Sequence, residues 1–294
     1  MNKFTIKDLE NLSGIKAHTI RIWEQRYSFL KPQRTTTNIR YYSNDELKTL
    51  LNISLLNKYG FKISHINKMS SDELHKKTLT LSGTEAQQER IVNEMIQSMI
   101  ELNIDAFEKT LDQFIITKGI EKCIIQIIFP FLERIGILWL TDHINPAQEH
   151  IITNIIRQKL IVGIDKILPV LNLSKKVVLY MPENEHHELG LLFVQYLMKS
   201  RGIKTIYLGA NVPVKDLEYV VQIKKPDYIY THLTTVIKEF NFDKFIGNLH
   251  SRFPGEKVLI SGMLCQTFSK KPLPLNIKFL NSLSEVQDFI TELA

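Results

Sequence analysis

The sequence predicts a multidomain protein of the α and α/β classes, with a winged helix-turn-helix, a four-helix bundle and a five-stranded parallel sheet in that order. Three observations carry this prediction. The chain has 294 residues, which exceeds the roughly 100 to 200 residues of one ordinary domain. Its hydrophobic pattern changes from short helices, through long helical periodicity, to β-rich runs. Its excess positive charge lies in the first quarter of the sequence.

The first predicted element is a pair of short helices around a turn. A polar residue, Thr5, precedes a short apolar-periodic segment that Gly14 ends, which is the usual pattern of a helix with both termini capped. A second short helix is predicted from about Ala17 to Tyr27, with Ile20 and Trp23 spaced to face a core. Two short helices around a glycine-containing turn predict a helix-turn-helix.

A wing and a longer helix are predicted next. Residues 31–42 contain a proline, a polar tip and an aromatic pair of β-formers, which predict a two-stranded wing. Ser43 with Glu46 three residues later has the spacing of a capping box, and it begins a leucine-rich helix that Gly60 ends. One further turn over 64–69 completes the unit.

The middle of the chain predicts a helical bundle. Residues 70–83 are polar and rich in serine, so we place a domain boundary there. Helical periodicity then runs to about Leu168, with breaks near Asn103, Gly119 and 141–146. Four helices fit this spacing, and the short loops between them favour an antiparallel bundle.

The last part of the chain predicts a parallel sheet. Short β-rich runs alternate with amphipathic stretches, which is typical of strands that pair in parallel with helices on both faces. Ligands bind such sheets beyond the carboxyl ends of the strands. The five runs are 177–181, 204–208, 227–231, 257–260 and 277–280. We therefore expect domains at 1–70, 84–170 and 174–294, with a linker at 71–83.

The charge distribution favours a polyanionic partner for the first domain. Residues 1–70 contain 12 Lys and Arg against 5 Asp and Glu, whereas the rest of the chain contains 25 against 26. A positive charge that is confined to one domain is expected where that domain alone meets nucleic acid.

Other function classes are excluded by composition. No apolar run reaches the roughly 18 residues that a membrane-spanning helix needs, so we expect no membrane partner. Charged residues near the N-terminus interrupt the segment where a signal peptide would be apolar, which predicts a cytoplasmic protein. Cys123 and Cys265 lie far apart without histidines at ligand spacing, so we expect two small buried residues and neither a disulfide nor a zinc site.

Residues 3–68 resemble the DNA-binding domain of the MerR family. The resemblance covers FTIKDLENLSGIKAHTIRIWEQRY, then RYY at the wing, then DELKTLLNISLLNKYGFKISHI. It implies a transcription regulator, not an enzyme, that binds an inverted-repeat operator in double-stranded DNA, with RNA polymerase as a further partner. Family members often dimerise through a long coiled coil, and no heptad run follows here. Self-association as a dimer or tetramer would therefore come from the bundle or the sheet.

The resemblance also assigns the DNA contacts. The second helix would enter the major groove, where its polar side chains reach bases or phosphates, and the wing would contact the backbone. The candidate contacts are His18, Thr19, Arg21, Gln25, Arg26, Arg34, Arg40, Tyr41 and Tyr42.

A second resemblance lies after the first strand of the sheet. Glu185-x-His187-x-x-Gly190 resembles the D-x-H-x-x-G pattern of cobalamin-binding domains, which have a flavodoxin-like fold. It implies that His187 coordinates cobalt from below, that Glu185 orients the imidazole, and that Gly190 lets the nucleotide tail lie against the backbone.

The sequence departs from this pattern in three places. Glu185 stands where aspartate is usual, and Thr231-His232-Leu233 stands for S-x-L, but the carboxylate and the hydroxyl keep their hydrogen-bonding chemistry. Ser261-Gly262 stands for a pair of glycines and adds a side chain beside the tail. Thr231, Leu233, Ser261 and Gly262 are the candidate cofactor contacts at these strands.

The bundle carries a further pattern, in which Trp139 is followed ten and eleven residues later by Glu149 and His150. The same pattern occurs in cobalamin-dependent MerR regulators of the light-sensing class, and it implies a tryptophan over the corrin with the Glu-His pair near the adenosyl group. A core tryptophan and an ordinary helix start would leave the same residues. Leu140 replaces a histidine that binds cobalt from above in light-sensing members, so the same bis-histidine adduct requires His143 or His150 as a substitute.

These observations predict a DNA-binding regulator that senses adenosylcobalamin or methylcobalamin and changes its self-association. Two alternatives remain at this stage. In the first, the sensor has lost cobalamin and responds to a protein partner or another small molecule, which Ser261 favours. The second alternative is a cobalamin-dependent methyltransferase, for which the sequence offers no further substrate-binding domain.

Overall fold

A computed structural model describes residues 3–139, 145–168, 175–234 and 241–294. The chain divides into two compact units, Met1–Ile155 and Ile156–Ala294. The first unit contains the helix-turn-helix, the wing and most of the bundle, and the second contains the parallel sheet. The boundaries of our three expected domains stay predictions. Across the described ranges, every helix is too short or too polar to cross a membrane.

The first unit is almost entirely helical. In chain order its described elements are α1 (Ile6–Ser13), α2 (Ala17–Arg26), β1 (Gln33–Arg34), β2 (Arg40–Tyr41), α3 (Asn44–Lys58), α4 (Ile63–Ile66), α5 (Ser71–Leu79), α6 (Thr84–Ile100), α7 (Ile104–Lys118), α8 (Ile120–Cys123), a π-helical turn (Ile124–Ile128), α9 (Phe129–Trp139) and α10 (Pro146–Asp165), whose last residues belong to the second unit.

The helix-turn-helix forms as predicted because both of its helices have local signals. The Thr5 hydroxyl accepts the N–H of Asp8, and the Asp8 carboxylate accepts the N–H of Thr5, which completes a capping box at the start of α1. Gly14 ends α1 with a φ of 71°, a left-handed conformation that glycine adopts without strain. Ile20 and Trp23 of α2 are buried, as expected.

The wing and α3 also follow the prediction. β1 and β2 pair antiparallel, and Phe4 forms a bridge with Tyr42 that attaches the wing to the start of the chain. Ser43 and Glu46 form the capping box of α3. The leucines of α3 are buried and form the centre of this part of the core.

The segment that we expected as a linker contains helix α5. Ser70 and Glu73 form a capping box, and Leu74 and Thr78 are buried on the face that packs against α3. The polar composition concealed this helix, because two buried side chains are enough to hold so short an element against a neighbour.

The bundle has the four helical segments that the sequence predicts over 84–139 and 145–168. α8, the π turn and α9 form one continuous segment. The π turn was not predicted, and Pro130 gives a physical reason for it. Proline has no N–H and clashes with the carbonyl four residues before it, and a widened turn relieves both problems. In this turn the N–H of Phe129 reaches back to the carbonyl of Ile124.

The second unit is a parallel sheet between helices. Its described elements are β3 (Lys176–Pro182), α11 (Leu189–Ser200), β4 (Lys204–Val212), α12 (Val214–Lys224), β5 (Tyr228–His232), α13 (Phe242–Arg252), β6 (Lys257–Ser261), α14 (Met263–Phe268), β7 (Ile277–Leu280) and α15 (Leu283–Leu293).

The strand order of this sheet is β4-β3-β5-β6-β7, and all described pairs are parallel. This is the strand order of the flavodoxin-like fold that the second resemblance implies. α12 and α13 pack on one face through Leu217 and Ile246, and α11 and α15 cover the other, where Phe289 meets the ring of Tyr228. The order places the switch point, where ligands bind, between the carboxyl ends of β3 and β5.

Both cysteines are buried and free, as expected. Burial is the main cause that raises the pKa of each thiol to about 12. Cys123 and Cys265 therefore act as small apolar side chains.

An ion-pair network connects α3, which follows the wing, with the bundle. One carboxylate oxygen of Glu89 on α6 lies 2.7 Å from Nζ of Lys58 on α3. The other oxygen lies 3.2 Å from a guanidinium nitrogen of Arg134 on α9. Arg134 also donates to the amide oxygen of Asn93 at 2.6 Å. The Glu89 carboxylate raises the pKa of Lys58, chiefly through this hydrogen bond.

We expect Glu89→Ala to lower the free energy of unfolding by about 1 to 2 kcal/mol, because Arg134 is partly buried and loses a charged partner. Lys58 is mostly exposed and contributes little of this loss. Urea unfolding of the full chain measures the change. The control is Glu94→Ala on the same helix, because the partly buried Glu94 takes part in one i,i+4 pair, with Arg90, and such a pair is worth about 0.3 to 0.5 kcal/mol. Equal losses in the two variants would contradict the network.

Candidate functional site

The second helix of the helix-turn-helix presents a polar face to solvent. Its apolar residues Ile20 and Trp23 point into the core, which leaves the opposite face exposed. The predicted contacts on this helix are exposed or half-buried: His18, Thr19, Arg21, Gln25 and Arg26.

The wing carries two more of the predicted contacts. Arg34 is exposed and donates to the side-chain oxygen of Asn38 at 2.7 Å, across the tip of the wing. The Tyr41 hydroxyl donates to the side-chain oxygen of Gln33 at 2.5 Å. Both side chains remain on the surface of the wing, where a phosphate could be reached.

Tyr42 corrects the sequence-based assignment, whereas the DNA contact expected of Arg40 stays a prediction. Tyr42 is fully buried, and its hydroxyl donates to the Glu24 carboxylate, so it belongs to the core and does not face DNA. Burial raises the pKa of Tyr42, and Glu24 raises it further. Nε of Arg40 lies 3.2 Å from the same carboxylate, which directs this arginine toward α2. Glu24 therefore joins the base of the wing to α2.

Sequence reasoning missed Glu24. One signal was available, because an acidic side chain on a helix that faces DNA is unfavourable unless it has a cationic or donor partner within the domain. Its side chain is 8% exposed, which agrees with an internal role.

In the second unit, Glu185 and His187 form the predicted pair at the end of β3. Glu185 is buried, and one carboxylate oxygen accepts the N–H groups of His186 and His187 at 2.9 and 3.0 Å. The same oxygen lies 2.7 Å from Nδ1 of His187. A carboxylate only accepts, so Nδ1 carries the proton and the ring orientation is set. The His187 side chain is 46% exposed.

The second Glu185 oxygen reaches the neighbouring strand. It accepts the N–H of Thr234, just after β5, at 3.1 Å. One buried carboxylate thus joins the loops after β3 and β5, which flank the switch point. A shorter aspartate at this position would have less reach, so the Glu185 departure from the family pattern is compatible with the same role.

Two asparagines hold the loop before this pair, and sequence reasoning did not identify them. Asn184 has a φ of 68°, and its N–H donates to the side chain of Asn211 at 2.9 Å. The N–H of Asn211 in turn donates to the carbonyl of Glu185 at 3.1 Å. β4 extends past its predicted end to Val212, with Gly209 at a φ of 84° where the register shifts.

The remaining predicted contacts of the sheet lie at the ends of β5 and β6. Thr231, Leu233 and Ser261 are buried, and the N–H of Leu233 donates to the carbonyl of Ser261 at 2.8 Å. Gly262 has a φ of 101°, and a Cβ there would overlap the carbonyl of Leu233. Glycine is therefore required at 262 by the protein backbone itself.

A polar cluster that the sequence did not reveal supports the start of α11. Arg157 of α10 pairs with Glu188 at 2.8 Å, and the Tyr207 hydroxyl donates to the other Glu188 oxygen at 2.8 Å. Burial is the main cause that raises the pKa of Tyr207, followed by Glu188. Tyr207 therefore stays neutral and acts as a donor.

The bundle residues of the second resemblance lie in the first unit. Nδ1 of His150 is 3.3 Å from a Glu149 oxygen, and the His150 side chain is largely exposed. Trp139 is the last residue of α9, and its side chain lies outside the described part of the structure. Leu140 and His143 also lie outside the described residues.

Two family matches follow the domain order. Residues 4–73 match the family described as MerR HTH family regulatory protein. Residues 91–162 match the family described as B12 binding domain, and they correspond to the bundle.

Relatives match over most of the chain. The HTH-type transcriptional repressor CarH of Myxococcus xanthus is 25% identical over 266 residues, which are 88% of this chain and 88% of the relative. The HTH-type transcriptional repressor CarA of the same organism is 26% identical over 226 residues, 76% of this chain and 74% of the relative. The Methanosarcina barkeri monomethylamine corrinoid protein superposes with a TM-score of 0.50 and 10% identity, over 70% of this chain and 100% of that protein, which concerns the fold alone.

The chain therefore joins a MerR-type DNA-binding regulatory domain to a B12 binding domain, and it is homologous over most of its length to the transcriptional repressors CarH and CarA.

Proposed function

We propose that cobalamin controls the affinity of this protein for an inverted-repeat operator by changing its association into dimers or tetramers. The Glu185–His187 pair carries the proposal, because it lies at the switch point of a sheet that follows a MerR-type domain in the same chain. The two homologous repressors favour repression, in which the bound protein excludes RNA polymerase from a promoter.

The sheet fits the lower face of the cofactor. Glu185 holds Nδ1 of His187, so Nε2 is the nitrogen that would coordinate cobalt. The partner carboxylate raises the basicity of the imidazole and fixes its tautomer. When bound, adenosylcobalamin or methylcobalamin supplies a cobalt ion whose upper ligand can be exchanged.

The bundle residues Trp139, Glu149 and His150 are proposed for the upper face. His150 is exposed enough to meet a ligand, and the pair with Glu149 orients its ring. With leucine at position 140, His143 and His150 are the two candidates for the side chain that light-dependent ligand exchange would use.

Ligand control of assembly has a simple thermodynamic requirement. The cofactor must bind the two assembly states with unequal affinity, since otherwise its binding does not change the equilibrium between them. An operator with two half-sites multiplies weak single-domain contacts, so a change in assembly changes operator occupancy strongly. Gel-shift and sedimentation experiments with adenosylcobalamin, with hydroxocobalamin, and with and without illumination test this coupling. Unchanged assembly and unchanged operator affinity in all of them would refute it.

For the DNA contacts, we expect Arg34→Ala to weaken binding equally for specific and random DNA and to reduce the salt slope of log K by about one, as for a lost phosphate contact. Arg21→Ala should cost about 1 to 3 kcal/mol on the operator and less on random DNA, because it lies on the helix that enters the major groove. Lys122→Ala, in the bundle, is the control. Titrations over a range of salt concentrations distinguish these outcomes from a uniform loss.

Glu24→Ala should weaken operator binding about tenfold or more, although Glu24 does not face DNA. Its loss leaves the buried Tyr42 hydroxyl and the Arg40 side chain without their carboxylate, so the wing loses its fixed orientation to α2. Glu10→Ala removes a carboxylate from the same domain that pairs with the exposed side chains of Lys7 and Lys16, and it should leave affinity nearly unchanged. The idea fails if the two variants bind DNA alike.

His187→Ala should change the visible spectrum of bound hydroxocobalamin and lower its affinity, because an imidazole ligand below cobalt is lost. Glu185→Gln should lower the affinity about 10- to 100-fold, in the range for partners that orient a metal ligand. His186→Ala is the matched control, since this neighbouring histidine is also exposed and its ring makes no bond to Glu185 in the structure. A wild-type spectrum in His187→Ala would remove the lower-ligand assignment.

A further inference from the structure

His232 and Ser261 fill a space that the proposed function does not explain. Gly190 lies in the first turn of α11, three residues after His187, and a Cβ there would overlap the imidazole of His232. The ring therefore lies directly against the glycine backbone. Nδ1 of His232 is 2.8 Å from Oγ of Ser261. Tyr230 completes the group, because its hydroxyl donates to the same Oγ at 2.6 Å.

These three side chains form one directed chain of hydrogen bonds. Ser261 accepts a hydrogen bond from the Tyr230 hydroxyl and can donate its own O–H to Nδ1 of His232, which suits a neutral ring. Burial lowers the pKa of His232 to about 4, although the charge of Glu185 acts in the opposite direction. The imidazole is thus uncharged near neutral pH. It is fixed by a hydrogen bond on one side and by the backbone of Gly190 on the other.

The chemistry of the cofactor makes this position important. Free cobalamin carries a nucleotide on its lower face, and the benzimidazole of that nucleotide coordinates cobalt. If His187 takes the lower position, the displaced nucleotide stays tethered to the corrin ring and would lie on the His187 side of the cofactor. Gly190 and the ends of β5 and β6 flank the pair, and the His232 ring occupies the space against Gly190.

We propose that His232, anchored by Ser261, is a specificity-determining residue that penalises corrinoids with a nucleotide tail relative to corrinoids without one. The proposal rests on the lower-face assignment of His187. To admit the tail, the ring must leave Gly190 and give up its buried bond to Ser261. Loss of a buried hydrogen bond of this kind corresponds to about a tenfold change in affinity.

The test compares hydroxocobalamin with aquacobinamide, which has the corrin ring but no nucleotide. Both are titrated into the full chain, wild type and His232→Ala, and followed by their visible spectra. We expect His232→Ala to raise the ratio of cobalamin to cobinamide affinity about tenfold. Displacement of the benzimidazole has the same intrinsic cost in both proteins, so it cancels from this comparison.

Two further variants keep the comparison interpretable. Ser261→Ala keeps the His232 ring but removes its hydrogen-bond partner. It should shift the affinity ratio in the same direction by a smaller factor. This variant also tests the proposal if His232→Ala does not fold. His250→Ala is the matched control, because this exposed histidine of α13 bonds only to Asn276 among the contacts described. It should leave the ratio unchanged.

A ratio that stays within twofold of wild type in both His232→Ala and Ser261→Ala would overturn the specificity role and leave the cobalamin proposal intact. A wild-type protein that binds neither corrinoid would overturn both proposals. Circular dichroism of each variant confirms that the fold is retained.

Discussion

A single buried carboxylate organises the ligand end of the sheet. Glu185 is shielded from water, and burial of a charge is costly unless hydrogen-bond donors surround it. Here the donors come from two loops: backbone and ring groups of His187 after β3, and the N–H of Thr234 after β5. The need to satisfy this charge holds both loops in one arrangement. That arrangement fixes the orientation of the exposed His187 imidazole.

The first unit uses the same principle at its DNA-binding end. Glu24 is nearly buried and takes its partners from the wing, through Tyr42 and Arg40. The polar face of α2 and the surface of the wing are therefore presented by one rigid group. In each unit, an acidic side chain that does not itself face a ligand fixes the position of basic or aromatic side chains that could contact one.

At Gly190 the glycine of the family pattern is kept, but a different group, the His232 ring, lies against it. The glycine is retained, and its lack of a side chain is required here by the His232 ring. Ser261, which looks like an isolated departure in the sequence, is the anchor of that ring and a partner of Tyr230. The serine and the histidine are thus one structural feature rather than two unrelated substitutions.

The sequence alone determined the order of elements, the two helix caps around the helix-turn-helix, the four helical segments and the parallel sheet, because these depend on contacts within a few residues and on hydrophobic period. It also identified Glu185 and His187, which are close in the chain. Only the tertiary structure decided that Tyr42 faces the core, that a helix replaces the expected linker, and that His232 lies on Gly190. Each of these depends on which distant side chain fills a given space, and that choice is made by packing rather than by local pattern.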